Sequence, residues 1–256
     1  MTEYLGPGKR DDFPDRLPED METIVWRYMD DWKFIDFIKK QSLYLCRGDK
    51  LQDRYEGTYS RQQLMDEDRW YGDMGLAHLI SQKKKEREEN RRKFYINSWC
   101  MYNDDLDLMW KSYTKVCHAV AVQSRVAKLV TICDSDKAVG FRPLCVSTIE
   151  YFRHREGEFI NHFASGFDAF THKDYHFELD KEIRIIHMAN WAINQGQTPE
   201  GIFLPVDLSL MIERVVLSPG STSKDAEAIR DLLNKFGLKN IPVESSRYEK
   251  ELMDQE

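Results

Sequence analysis

Apolar residues fall in short runs separated by charged stretches, and the spacing within each run separates strand from helix. TIVWRYM (23–29), apolar but for Thr23 and Arg27, is the first apolar run and predicts a strand. Asp30 and Asp31 then offer a cap for a helix from Trp32 to Lys40, in which Phe34, Phe37 and Ile38 share a face. SLYLC (42–46) predicts a second strand, followed by a charged loop over 47–57. Residues 60–93 read as helix, broken near Tyr71–Gly75, and FYINSWCM (94–101) as strand. In 104–114, Leu106, Met109, Trp110 and Tyr113 form a helical stripe capped by Asp104 or Asp105. HAVAVQ (118–123) and CVSTIEYF (145–152) predict strands, with a short helix near Arg125–Thr131. Residues 154–171 predict a helix with Phe159, Phe163 and Phe167 on one side. The end of the chain reads as strand 213–219, helix 224–238 stopped at Gly237, and strand 240–247. A strand–helix–strand of that length suggests a parallel pair.

FELDKEIRII (177–186) carries the sharpest pattern. As a strand it puts Phe177, Leu179, Ile183 and Ile185 on one face, and Glu178, Asp180, Glu182 and Arg184 on the other. Residues i and i+2 then stand roughly 7 Å apart. Such a ladder suits a sugar hydroxyl, a metal ion or a developing cation. It equally suits an exposed strand with cross-strand ion pairs, each worth at most about 1 kcal/mol. Together these elements predict an α+β chain with one mixed, bent (split) sheet flanked by helices and a C-terminal strand–helix–strand unit. The organisation expected is an arm over 1–22, a single domain over 23–247 and a tail over 248–256.

Composition narrows the classes. With 256 residues, 41% hydrophobic and 32% charged, the chain can bury a sizeable core under a polar surface. A net charge of −7 removes any global electrostatic case for nucleic-acid binding. The run QKKKEREENRRK (82–93) nevertheless holds seven basic and three acidic side chains. It reads first as a solvated helix face laced with ion pairs, and leaves a nucleic-acid or acidic-partner contact open. No apolar run approaches a membrane span, and MTEYLGPGKRDDFPDR lacks the apolar core of a signal peptide, so a cytoplasmic chain with no membrane contact is expected. Cys46, Cys100, Cys117, Cys133 and Cys145 show no CxxC spacing, and reduced thiols are expected.

Several blocks, in order, resemble the prokaryotic domain-of-unknown-function family 2971, which is often found beside phage-defence and mobile-element genes. They are Val25 to Met29, Phe34 to Lys40, Leu43-Tyr44-Leu45 and Asp53-Arg54-Tyr55-Glu56-Gly57. Then come Ser98-Trp99-Cys100, Leu108-Met109-Trp110 with Tyr113, and Ala119 to Val122. The last is Lys173, Tyr175, Glu178, Glu182 and Arg184. Two departures stand out. Gln52-Asp53-Arg54-Tyr55-Glu56 replaces a proline-containing turn, and Thr114 to His118 replaces a glycine-containing one.

A more distant likeness is to ADP-ribosyltransferase-like folds, which carry Arg or His on a first strand, Ser or Tyr on a central strand and Glu on a later one. That likeness implies an effector or toxin-like protein of a conflict system, using NAD or a nucleotide. It places Glu182, with Glu178 as second choice, as the catalytic carboxylate. Arg27, Ser98, Trp110, Tyr113 and Arg184 would hold NAD. Cleavage of the nicotinamide–ribose bond creates an oxocarbenium-like ribose, which a carboxylate stabilises. Ordinary roles stand beside these: Arg27 can pair with Asp30, Ser98 can be a plain strand serine, and Trp110 and Tyr113 fit a core stripe. Two alternatives belong to other classes. One is a metal-dependent nuclease, with Asp104, Asp105 and Asp107 joining Glu178 and Glu182 around Mg²⁺. The other is a sensor or adaptor that binds a partner protein. LSPGSTSK (217–224) lacks P-loop spacing and reads as a turn.

Overall fold

The computed structural model describes residues 15–53, 55–115, 118–153, 167–189 and 198–248. The predicted tail beyond Tyr248, most of the N-terminal arm, residues 154–166 of the predicted Phe-rich helix, and Cys117 lie outside these. The class is α+β. In chain order the elements are β1 (Ile24–Asp30), α1 (Asp31–Lys40), β2 (Ser42–Arg47), α2 (Arg61–Asp73), α3 (Ile80–Arg91), β3 (Phe94–Met101), α4 (Asp107–Tyr113), β4 (Ala119–Arg125), α5 (Val126–Asp134), β5 (Leu144–Thr148), β6 (Glu150–Phe152), β7 (His172–Asp174), β8 (Glu182–Met188), β9 (Gly201–Pro205), α6 (Leu208–Met211), β10 (Arg214–Leu217), α7 (Ser223–Lys235) and β11 (Val243–Ser245).

The chain groups into two compact units. The first comprises residues 1–16, 45–97 and 141–202; the second comprises 17–44, 98–140 and 203–256. In the second, β1 lies antiparallel to β4, with Trp26 opposite Gln123, and to the last residues of β3, with Trp26 opposite Cys100. Strand β10 lies antiparallel to β4 and parallel to β11, as the strand–helix–strand pattern predicts. Gly237, at φ 77°, ends the turn after α7. Trp26, Tyr28, Met109, Trp110 and Val216 form the core here. Phe34, Phe37 and Ile38 of α1 are buried as their spacing predicts.

In the first unit β8 pairs with β5 and β3, and β2 pairs antiparallel with the opening residues of β3. A separate parallel pair, β6 with β7, splits the predicted 145–152 strand at Ile149. The predicted 60–93 helix is two helices, with Gly75 at φ 72° in the break. Helix α2 starts at a closed capping box. Ser60 Oγ accepts from the Gln63 amide at 3.2 Å, and Gln63 Oε1 accepts from the Ser60 amide at 3.4 Å. Both side chains are buried, so no water substitutes for the lost partner in Ser60→Ala. That variant is expected to lose about 1–2 kcal/mol in urea unfolding with an unchanged denaturant slope.

Three predicted details differ. Asp30 sits at the N-cap of α1, but its carboxylate accepts from the Lys115 amide (2.8 Å) instead of capping. Asp105 is turned away from the start of α4 and accepts from Trp110 Nε1 at 3.1 Å. Most informatively, 177–186 is not one strand. Tyr175–Asp180 is a 3₁₀ helix capped by Asp174, whose carboxylate accepts from the His176 amide at 3.1 Å. Lys181, at φ 41°, turns the chain, and the strand begins only at Glu182. Leu179, expected on the buried face, is 63% exposed.

Candidate functional site

Strand β8 is buried on both faces, so its charged residues must be compensated within the protein. Arg184, 1% exposed, donates from Nε to Glu182 Oε1 at 2.7 Å and from Nη2 to Glu182 Oε2 at 3.0 Å. Its remaining nitrogen, Nη1, donates to the Phe170 carbonyl at 3.0 Å. Lys173 of β7 contacts Glu182 Oε2 at 3.0 Å, Asp180 at 2.9 Å and Glu56 at 3.5 Å. Arg184 Nη2 also stands 2.9 Å from Glu56 Oε2, yet no donor points at that oxygen. The Glu182 amide donates to the Tyr151 hydroxyl at 2.7 Å.

Burial works against both cations, but Glu182 and Glu56 outweigh it and raise the affinity of Lys173 and Arg184 for their protons. For Glu56, burial is the largest influence and pushes the carboxyl up; Arg184 opposes this and Glu182 adds to it. The arrangement is a closed ion cluster. Both Glu182 oxygens are occupied, and Glu182 is 2% exposed. Glu178 lies apart, exposed on the 3₁₀ helix.

Arg27, Ser98, Trp110 and Tyr113 belong to the second unit. Arg27 Nη1 donates to the Ser98 carbonyl at 2.7 Å, joining two of the predicted residues through the backbone rather than the hydroxyl. Trp110 is buried, edge-on to Tyr28 at 4.9 Å, and Tyr113 packs against the same core. Their rings serve packing there. The three aspartates proposed for Mg²⁺ are each engaged: Asp104 by Arg247, Asp105 by Trp110 and Ser246, and Asp107 by Lys111. Among the described residues no three His, Cys, Asp or Glu side chains group to hold a metal. Cys46, Cys100, Cys133 and Cys145 are not disulfide-bonded among the described residues. No helix among the described residues is long and apolar enough to cross a membrane.

A cavity of about 420 Å³ opens within the first unit. Its floor is Leu64, Ala169, Phe170 and the loop Gly57-Thr58-Tyr59; its other wall is α3, through Lys84, Arg87, Glu88, Asn90 and Arg91. Lys84, Arg87 and Arg91 stand at i, i+3 and i+7, one face of a helix. Lys84 is 3.4 Å from Asp68, and Arg87 pairs with Glu67, both on α2. The Nε of Arg91 is buried with no acceptor among the described residues. The ring edge of Phe170 lies against two glycines: a Cβ on Gly48 or on Gly57 would come within 2.6 Å of it. The ion cluster lies directly behind this wall, because Glu56 precedes Gly57 and Arg184 holds the Phe170 carbonyl.

Sequence reasoning singled out the 82–93 run but not its inward face. The signal was present in the i, i+3, i+7 spacing, obscured by basic residues on the other faces. Comparison with protein-family models, curated proteins and solved structures returns no match to this chain.

Proposed function

We propose that the protein binds a small anionic ligand with an apolar or aromatic body in the α3 cavity, and that nucleotides, NAD among them, belong to this class. The observation that carries the reading is Arg91, whose buried Nε has no acceptor among the described residues, beside Lys84 and Arg87, which are held by Asp68 and Glu67 of α2, and an apolar floor. A guanidinium with a water-shielded, unpaired Nε is suited to phosphate or carboxylate, and the volume falls in the range of small-molecule sites. Acting on such a ligand is also what an effector of a conflict system with transferase chemistry requires. In that chemistry a carboxylate must face the ribose. Glu182 is enclosed by Arg184 and Lys173, whereas Glu88 is a carboxylate on the cavity wall.

The test is thermal unfolding with pyrophosphate, ADP or NAD. A ligand at a hundred times its Kd stabilises by about 2.7 kcal/mol. Arg91→Ala removes a charge-assisted hydrogen bond worth about 1.5–3 kcal/mol, so affinity is expected to fall roughly tenfold to a hundredfold. If none of the three ligands shifts the melt, or the variant responds like wild type, the reading is wrong. A partner-binding role draws on a different observation: Met65, Trp70 and Met74 of α2 and its end stand exposed.

A further inference from the structure

The ion cluster holds three carboxylates, Glu56, Asp180 and Glu182, against two cations, Lys173 and Arg184. Glu182 takes a two-point contact from Arg184 and a third from Lys173, and Asp180 takes Lys173. Glu56 is left with close cations but no donor directed at Oε2, although it is only 6% exposed. Asp53, one turn earlier in the same loop, likewise has a buried oxygen, Oδ2, without a donor. Its carbonyl accepts from the Glu56 amide at 3.1 Å, which keeps the two residues in one tight turn. Three carboxylates against two cations leave the cluster one negative charge in excess, an excess that burial makes costly, and carboxyl groups sharing a site settle by keeping one proton.

We propose that Glu56 is the protonated acid of this cluster and that its proton controls the cavity wall formed by Gly57 and Phe170. This rests on the reading of the cavity as an anion site. The groups facing Glu56 are Arg184 and Glu182 from β8, Lys173 from β7, and Asp53 from its own loop. Burial favours the neutral form, and Glu182 and Asp53 add to it against the pull of Arg184 and Lys173. Ionisation sends the proton to solvent and leaves a negative charge behind the wall. Glu56, and Gly57 with it, is then repelled from Glu182, and the anion in the cavity meets an adverse field. Anion binding therefore weakens as pH rises. The sign for stability agrees: a carboxyl raised in the folded state contributes most below its unfolded value of 4.5, and that contribution is lost as pH rises through the folded value.

Pyrophosphate is the probe, titrated by calorimetry from pH 4.5 upward into wild type and Glu56→Gln, whose amide mimics the neutral acid. Wild-type affinity is expected to fall about tenfold per pH unit above the Glu56 titration, relative to a variant that follows only the ionisation of pyrophosphate. Parallel profiles for the two proteins overturn the proposal. If neither binds at any pH, the cavity reading fails, and the proton is decided by unfolding: the stability of Glu56→Gln relative to wild type rises with pH if Glu56 is protonated and stays flat if it is not. If Glu56→Gln does not fold, the infrared carbonyl band of a protonated carboxyl in wild type decides. Its persistence above the ordinary carboxylate range supports the proposal and its absence overturns it.

Discussion

Replacing Arg184 by Met is expected to destabilise the protein by about 3–5 kcal/mol, the cost of removing one partner from a buried ion pair. The side chain is fully enclosed, and three of its nitrogens are committed: Nε and Nη2 to Glu182, Nη1 to the Phe170 carbonyl. Methionine fills much of the volume, so the loss is electrostatic rather than a cavity effect. Glu182 loses its two-point partner while Lys173 stays, and Glu56 loses its nearest cation. Arg184→Lys restores a charge but not the planar fork, and should recover only part of the loss. The defect should be smaller at pH 5 than at pH 7. An unpaired buried carboxylate has a raised folded-state pKa, so its cost is absent when both states are protonated and grows as pH rises. Urea unfolding of the three proteins at the two pH values measures this; a loss under about 1 kcal/mol would mean the cluster is solvated like a surface pair.

Gly57→Ala is the second large effect. At φ 71° an L side chain costs about 1–2 kcal/mol, and the added Cβ would stand within 2.6 Å of Phe170 Cε1. Displacing the Phe170 ring from its packing costs a further 1–3 kcal/mol or so. Phe170 is held where it is by Phe94, packed on it at 4.8 Å, and its ring edge also lies against Gly48. A double-mutant cycle separates the two contributions. In a Phe170→Ala background the steric part disappears and the backbone part stays, giving a coupling of about 1–3 kcal/mol. Additive losses would place the ring elsewhere. Because Gly57 and Phe170 line the cavity, Gly57→Ala should also weaken ligand-induced stabilisation beyond its effect on folding.

Most helices and strands were legible from period alone, and the reason is visible in their burial. Phe34, Phe37 and Ile38 are spaced for one helix face, and β10, α7 and β11 follow a strand–helix–strand rhythm that the parallel pairing satisfies. The 177–186 stretch shows where periodicity stops. Alternation there assumed one buried and one open face. Asp174 capping and the left-handed Lys181 give the first half to a 3₁₀ turn, and β8 is buried on both sides. The pairing of Glu182 with Arg184 was readable, since they lie two apart on one strand. Their closure by Glu56 and Lys173 was not, because those contacts join distant stretches that no local period connects. The cavity face of α3 was hidden differently: Lys83, Lys85 and Arg92 carry the same charge as Lys84, Arg87 and Arg91, so only packing against α2 and the Gly57 loop distinguishes them.

The most direct measurement is a crystal structure of the protein grown with ADP, compared with the same crystals of Arg91→Ala. The account predicts phosphate density within hydrogen-bond distance of the Arg91 guanidinium, in the cavity bounded by Gly57, Ala169 and α3, and none in the variant. An empty cavity at saturating ADP, with the nucleotide bound elsewhere or not at all, would contradict it.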